Sequence, residues 1–190
     1  MKNLDHIASR SYKSYKSRLR AAERLQARQR AWNTCLLALS IATTIASIAL
    51  LTDSMMYGKA GPTVLVCVSV LGLVSSLAVA GLNYGVRSRD MFMNYRGLQR
   101  LSVEAESLQE AGEDVDGELV ARLSQKHDAL LDDSENHTEA DFRNAFPVAD
   151  ASPWPVRKSA ALTVLPYVAL AVPVAVLLPF VLWVASDGTQ

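Results

Sequence analysis

The chain has 190 residues, half of them hydrophobic, and its 19 basic residues are balanced by 19 acidic ones. A formal net charge of zero leaves no basic field to support free nucleic-acid binding as the main activity. Only two cysteines occur, Cys35 and Cys67. Both lie within apolar blocks, which supports neither a disulfide framework nor a zinc site.

Residues 1–31 carry nine Lys or Arg. Tyr12, Tyr15, Leu19, Ala22 and Leu25 recur there at spacings of three and four, which predicts a basic helix. The first apolar block, Trp32–Leu51, follows with no Gly or Pro between, so one continuous helix is expected from about Ile7 to Leu51, roughly 65 Å long. The block starts too late for a signal peptide and has no clear cleavage pattern, so it is expected to remain in the mature protein. Asp53, Gly58, Gly61 and Pro62 then mark a loop over 52–61.

The second apolar block covers 62–82. Beyond it Phe92, Tyr95, Leu98, Leu101, Ala105 and Leu108 keep the helical spacing, so this helix is also expected to continue past the membrane and to end near Gly112. Gly97 inside it costs about 1 kcal/mol relative to Ala. A shorter helix is expected over Glu118–Asp132 with Leu119, Leu123 and Leu130 inward. Thr138 and Asp141 fit a capping pattern. Pro147, Pro153 and Pro155 mark a linker, and Trp154, Arg157 and Lys158 suit a membrane interface. The third apolar block, 159–185, contains Pro166, Pro173 and Pro179, each a site for a kink. The tail is 186–190.

Each block is about as long as a crossing of the hydrocarbon core requires. None contains a charged residue, which would cost roughly 2.5–3.5 kcal/mol at a helix centre. The rest of the chain is not apolar enough to cover them as the core of a soluble protein. Lys and Arg number nine in 1–31, one in 52–61 (Lys59), nine in 83–158 and none after 185. By the positive-inside rule, 1–31 and the helical module 83–158 are cytoplasmic, and the loop 52–61 and the tail 186–190 face the other side. The expected fold is an all-α membrane protein: a long antiparallel helical hairpin running from membrane into cytoplasm, short cytoplasmic helices, and a third, C-terminal transmembrane helix.

The spans have distinguishable faces. Ala38, Ala42, Ala46 and Ala49 form a small-residue ridge, with Ser40, Thr44 and Ser47 roughly opposite. Span two presents Ser69, Gly72, Ser76 and Ala80. Such faces pack helices closely in lipid, so Ser40, Thr44, Ser47, Ser69, Gly72 and Ser76 are candidates for a subunit or pore surface. Hydroxyls also bond to their own helix, so a hydroxyl row alone does not define a pore. Tyr12, Tyr15, Arg87, Arg89, Tyr95 and Arg96 lie just beyond the spans and are candidates for coupling the cytoplasmic module to them. His6, His127 and His137 lack metal-ligand spacing. The acidic cluster Asp132, Asp133, Glu135 and Asp141 reads as a solvated helix terminus, since no calcium-loop spacing is present. No phosphate loop or nucleophile elbow is found. No catalytic, cofactor-binding or metal-binding residue is therefore expected.

This arrangement resembles the SLATT family, two-transmembrane effector domains found beside nucleotide-signalling modules in bacterial conflict systems. The resemblance rests on Ser11-Tyr12-Lys13-Ser14-Tyr15-Lys16-Ser17-Arg18-Leu19, on Asn83-Tyr84-Gly85 with Arg87, Arg89, Met91, Asn94, Tyr95 and Arg96, and on Glu135-Asn136-His137 with Asp141 and Phe142. It covers roughly residues 5–145. The third span looks like a subgroup associated with reverse-transcriptase-linked defence loci. The resemblance implies a non-enzymatic effector in the bacterial inner membrane that homo-oligomerises and permeabilises or depolarises the bilayer when a cytosolic partner signals phage. That partner is a reverse transcriptase or its nucleic-acid product, or else a nucleotide-signal synthase. A non-conducting anchor that holds such an enzyme at the membrane is the alternative.

Overall fold

A computed structural model describes residues 2–111, 116–147 and 152–187, and every regular element among them is an α-helix. In chain order these are α1 (Lys2–Thr52), α2 (Gly61–Gly81), α3 (Tyr84–Glu110), α4 (Gly117–Asp132), α5 (Glu139–Ala145), α6 (Trp154–Ala169) and α7 (Ala171–Asp187). The expected helix end at Gly112 and most of the 186–190 tail lie outside the described residues. The chain divides into two compact units, one of residues 1–26 and 85–160, the other of residues 27–84 and 161–190.

The first unit packs the N-terminal part of α1 with α3, α4 and α5. Leu4, Ile7, Ala8, Leu101, Ala105 and Leu123 form its core, with Leu108, Leu119, Val120 and Leu130 against it. The hydroxyls of Ser88 and Ser102 donate to the carbonyls of Ala22 (2.8 Å) and Ala8 (3.3 Å), which fixes α1 and α3 antiparallel. Buried positions on α1 include Leu4, Ala8, Ser11, Arg18, Ala22 and Leu25, and those on α3 are Met91, Asn94, Leu98, Leu101, Ser102 and Ala105. Steps of three and four give the coiled-coil-like seam of antiparallel helices. Of the residues that carry the helical spacing, Ala22, Leu25, Leu98, Leu101 and Ala105 are buried in these seams, and the aromatic members lie outside them. Tyr12 is 40% and Phe92 42% exposed. The true seams run through polar Ser11, Arg18 and Asn94, which an apolar pattern passes over.

Local chemistry sets the shorter helices. Asp116 caps α4, its side chain accepting from the Glu118 amide. Thr138 caps α5 in a reciprocal capping box with Asp141, as expected from their spacing. Leu119 and Leu130 are partly buried and Leu123 fully so. Gly97 is a close-approach site, since a Cβ there would stand 2.8 Å from Leu130 Cδ2.

The second unit holds the rest of α1 with α2, most of α6, and α7. Ala31, Cys35, Ala42, Ala46 and Ala49 are buried along α1, so three of the four ridge alanines are interior. Leu39 packs onto Gly72, where a Cβ would lie 3.2 Å from Leu39 Cδ2. The large side chains point outward: Leu37, Val66, Leu71 and Leu77 are each more than 60% exposed. Water would penalise that surface and hydrocarbon does not. Three helical stretches, Leu4–Thr52, Gly61–Glu110 and Trp154–Ser186, are long and apolar enough to cross a bilayer. The chain is an all-α membrane protein.

Two expected continuities are interrupted. The second long helix breaks at Leu82 and Asn83, where Asn83 takes φ 48°. That left-handed conformation ends a helix, and Asn is one of the few non-Gly residues that adopt it readily. The third apolar stretch is two helices separated at Leu170. Pro173 is the cause: it has no N–H for the Ala169 carbonyl, and its ring crowds that carbonyl. Pro155 belongs to the first turn of α6 rather than to a linker, a position where its missing N–H is harmless.

Candidate functional site

In the first unit a polar cluster is built around the turn from α4 to α5. The helix seam carries Arg18 inward, seven residues after Ser11 and seven before Leu25, so its guanidinium is fully buried. Its Nη1 donates to Asn94 Oδ1, to Ser134 Oγ (2.8 Å) and to the Leu130 carbonyl (3.1 Å); its Nη2 donates to the Leu131 carbonyl (3.2 Å). These carbonyls belong to the last turn of α4, where no intrahelical donor is available and a cation suits the helix dipole. Asn94 Nδ2 adds a 2.6 Å bond to the same Leu130 carbonyl. Arg18 Nε is buried without a partner among the described residues. Burial lowers the Arg18 pKa, with Asp133 acting against it.

Six residues further along α1, Arg24 grips Asp141 with two parallel bonds, Nε–Oδ1 at 2.7 Å and Nη2–Oδ2 at 2.9 Å. Asp141 is fully buried and also accepts from the Thr138 amide (2.9 Å) and hydroxyl (2.7 Å). Burial alone raises the pKa of its carboxyl, but the bonds from Arg24 and Thr138 outweigh it and hold the group below the usual carboxylate range. The solvated-terminus reading of the acidic cluster is thus wrong for Asp141. The sequence pattern shows its capping role but not the arginine that covers it. Arg87 makes a third, more exposed clamp, with Nε and Nη2 on the Glu135 carboxylate at 2.9–3.1 Å.

His137 lies between these clamps, its ring stacked on Phe142 at 6.3 Å. Its Nδ1 is buried and unpartnered among the described residues. Burial, then the Arg18 charge, lower its pKa, with Asp141 opposing. Phe142 meets Phe146 (5.4 Å), Phe146 meets Tyr12 (6.1 Å), and Tyr12 meets Tyr15 edge-on (5.2 Å).

The six candidate coupling residues therefore separate. Tyr12 and Arg87 meet the 134–146 segment, by a ring contact with Phe146 and by ion pairing with Glu135, and Tyr15 packs on Tyr12. Tyr95 packs on Phe92 instead (4.9 Å), with the Arg96 guanidinium 5.6 Å over the Phe92 ring. Arg89 is exposed. The apolar pattern missed Arg18, Arg24 and Asn94. The available signal was a polar residue at the heptad position of the helix face, Leu4–Ser11–Arg18–Leu25.

In the second unit, a cavity of about 280 Å³ opens between Leu36, Leu39, Ser40 and Thr43 of α1 and Val68, Ser69, Gly72, Leu73 and Ser76 of α2. Four of the six candidate surface residues line it. Thr44 and Ser47 do not; their hydroxyls bond back to the carbonyls of Ser40 (2.8 Å) and Thr43 (2.7 Å). Ser40, Ser69 and Ser76 make no side-chain hydrogen bond among the described residues. No group of three His, Cys, Asp or Glu converges as for a metal ion among those residues.

Among the described residues, one unit presents an outward apolar helical surface suited to a bilayer and the other is a helical bundle clamped by buried polar groups, which together define a membrane-associated helical protein. The chain belongs to the SLATT family described as SMODS and SLOG-associating 2TM effector domain family 5, which it matches over residues 1–185. The match includes the third apolar stretch as well as the first two. It makes the protein a membrane effector domain. No curated protein and no solved structure matches the chain significantly.

Proposed function

We propose that this protein is a bacterial antiphage effector that homo-oligomerises and permeabilises or depolarises the inner membrane when a cytosolic partner signals infection. The observation that carries this reading is α1. One uninterrupted helix, Lys2–Thr52, provides Arg18 and Arg24 to the clamped segment and the Ala31–Ala49 stripe to the apolar unit. A partner that binds one arrangement of the clamped segment better than another shifts the population of both. In this reading residues 1–31 and 83–158 are cytoplasmic and the C-terminal tail is outside, as the Lys and Arg distribution supports.

The free hydroxyls of Ser40, Ser69 and Ser76 beside Gly72 provide a polar face for a neighbouring copy or for water. The partner is a reverse transcriptase or its nucleic-acid product, or a nucleotide-signal synthase. Dye entry after induced expression, with and without the neighbouring genes, tests the reading. Entry that needs both the partner and Ser40, Ser69 and Ser76 is expected. A partner that co-purifies while the membrane stays sealed would replace the pore with the non-conducting anchor.

A further inference from the structure

Helix α3 carries two seams. The inward one, Met91, Asn94, Leu98, Leu101 and Ala105, is occupied within the first unit. On the far side Val86, Arg89, Met93, Arg96, Arg100 and Val103 follow one another in steps of three, four, three, four and three. Every one of these six is exposed, with Val86 at 60%, Met93 at 61% and Val103 at 58%. This is a heptad stripe of the kind that seats a second helix, and no element of the described residues covers it.

The charges on this stripe are uncompensated. Arg89 and Arg100 have no ion pair among the described residues, and the only recorded contact of the Arg96 head is the Phe92 ring. Glu104, at the edge of the stripe, is already held by Lys126 at 2.7 Å. Asp90 is exposed beside Arg89 and forms no ion pair among the described residues.

We propose that this outward seam of α3 docks an acidic amphipathic helix of a partner protein. Such a helix would bring apolar residues onto Val86, Met93 and Val103 and carboxylates onto Arg89, Arg96 and Arg100. Arginine suits an interface of this kind, since its planar donors grip carboxylates while its stem packs on apolar neighbours. Two other occupants fit less well. A membrane-lying helix sinks a continuous apolar face into the acyl boundary, and here arginine takes three of the six seam positions. A second copy in the same membrane runs parallel to the first, which sets Arg89 against Arg89 and Arg96 against Arg96, a repulsive register. The proposal gives a chemistry to the partner of the preceding section, and it rests on that reading only for placing α3 in the cytosol.

The test uses the full chain in nanodiscs of zwitterionic lipid. The probe is a fluorescent three-heptad peptide that alternates leucine and glutamate at its seam positions, and the control has lysine for glutamate. Anisotropy is expected to show binding of the glutamate peptide and not of the lysine peptide. The variant Arg89→Glu/Arg96→Glu/Arg100→Glu should bind the glutamate peptide roughly tenfold more weakly or worse and should accept the lysine peptide. Hydrogen exchange over residues 134–141 serves as the folding control, since these arginines take no part in the clamps.

Equal binding of both peptides, or binding indifferent to the charge reversal, overturns the proposal. So does efficient maleimide cross-linking between copies through Met93→Cys, which would make a second copy the occupant. A shift of a polarity-sensitive dye on Met93→Cys when anionic lipid is added would make the membrane the occupant instead. Peptide binding without any depolarisation in cells would sink the pore reading and leave the docking site standing. Depolarisation without binding would do the reverse.

Discussion

In residues 1–26 and 85–160 the buried positions include Ser11, Ser17, Arg18, Asn94, Ser102, His127 and Asp141. In residues 27–84 and 161–190 they are mainly small or apolar, among them Ala31, Cys35, Ala42, Ala46, Ala49, Leu65 and Val79, with Arg28 and Thr43 the polar exceptions, and many large apolar side chains are turned outward. The same helix, α1, takes part in both. The first unit adds to its apolar core directional bonds at a few points, each expensive to leave unpaired. The second is held by close backbone approach over many small residues, with lipid as the expected solvent. A polar lock has two distinct states, made and broken, and a partner can favour one of them. Control is therefore expected in the first unit and the membrane response in the second.

Breaking the lock at Asp141 should have the largest effect. Asp141→Ala strands Arg24 and removes the Asp141 half of the α5 capping box, at a cost of about 3–5 kcal/mol to the first unit. Limited proteolysis is expected to cut between residues 134 and 147 while the apolar helices stay protected. The double change Arg24→Met/Asp141→Leu should recover most of the loss, because no charge is left buried alone. Equal sensitivity in the single and double variants would remove the ion pair from the account.

Arg18→Met comes next, at about 2–3 kcal/mol, because it leaves Asn94 Oδ1 and the Leu131 carbonyl without their arginine donor, the Leu130 carbonyl keeping only Asn94. Arg18→Lys should rescue little of this, since a point charge cannot reach four acceptors. Hydrogen exchange of the last turn of α4 measures both.

The effect of pH should be smaller and its direction is fixed. The folded His137 pKa is lowered from 6.5, so the unfolded unit binds more protons once pH drops below that value. Protection of residues 134–141 is expected to be full above pH 6.5 and to decline as pH falls towards the lowered folded pKa. Asp141 is also lowered, from 3.8; its contribution is present above that value and is lost as pH falls through the folded pKa. His137→Gln should remove the upper step and spare the lower one.

The smallest effects belong to Thr44→Val and Ser47→Ala, within about 0.5 kcal/mol, because both hydroxyls serve their own helix. Ser40→Ala, Ser69→Ala and Ser76→Ala should also leave the isolated chain stable but should change assembly, read by mass photometry in nanodiscs. Gly72→Leu is a poor probe of assembly, because it collides with Leu39 of the same chain.

The sequence makes some of this readable and hides the rest for physical reasons. Charge-free blocks and uninterrupted helical spacing are local properties, so the three apolar stretches and the extent of α1 were legible. So was the cap at Thr138 and Asp141, whose partners lie three residues apart. The partners of Arg18 and Arg24 lie 76 to 117 residues away, and no spacing rule spans that distance. Their inward placement also contradicts the apolar pattern that locates a seam. The break at Asn83 depends on one left-handed residue in an otherwise continuous helical pattern. The split of the hydroxyl row follows from where α2 meets α1: Ser40 faces the cavity, while Thr44 and Ser47 bond to their own helix.

The most direct test is the membrane potential of single cells during phage infection, recorded with and without the neighbouring partner gene. The account predicts depolarisation before lysis that requires the partner, and its loss in Ser40→Leu/Ser69→Leu/Ser76→Leu with partner binding intact. A potential held until lysis while the cells are still protected would contradict it.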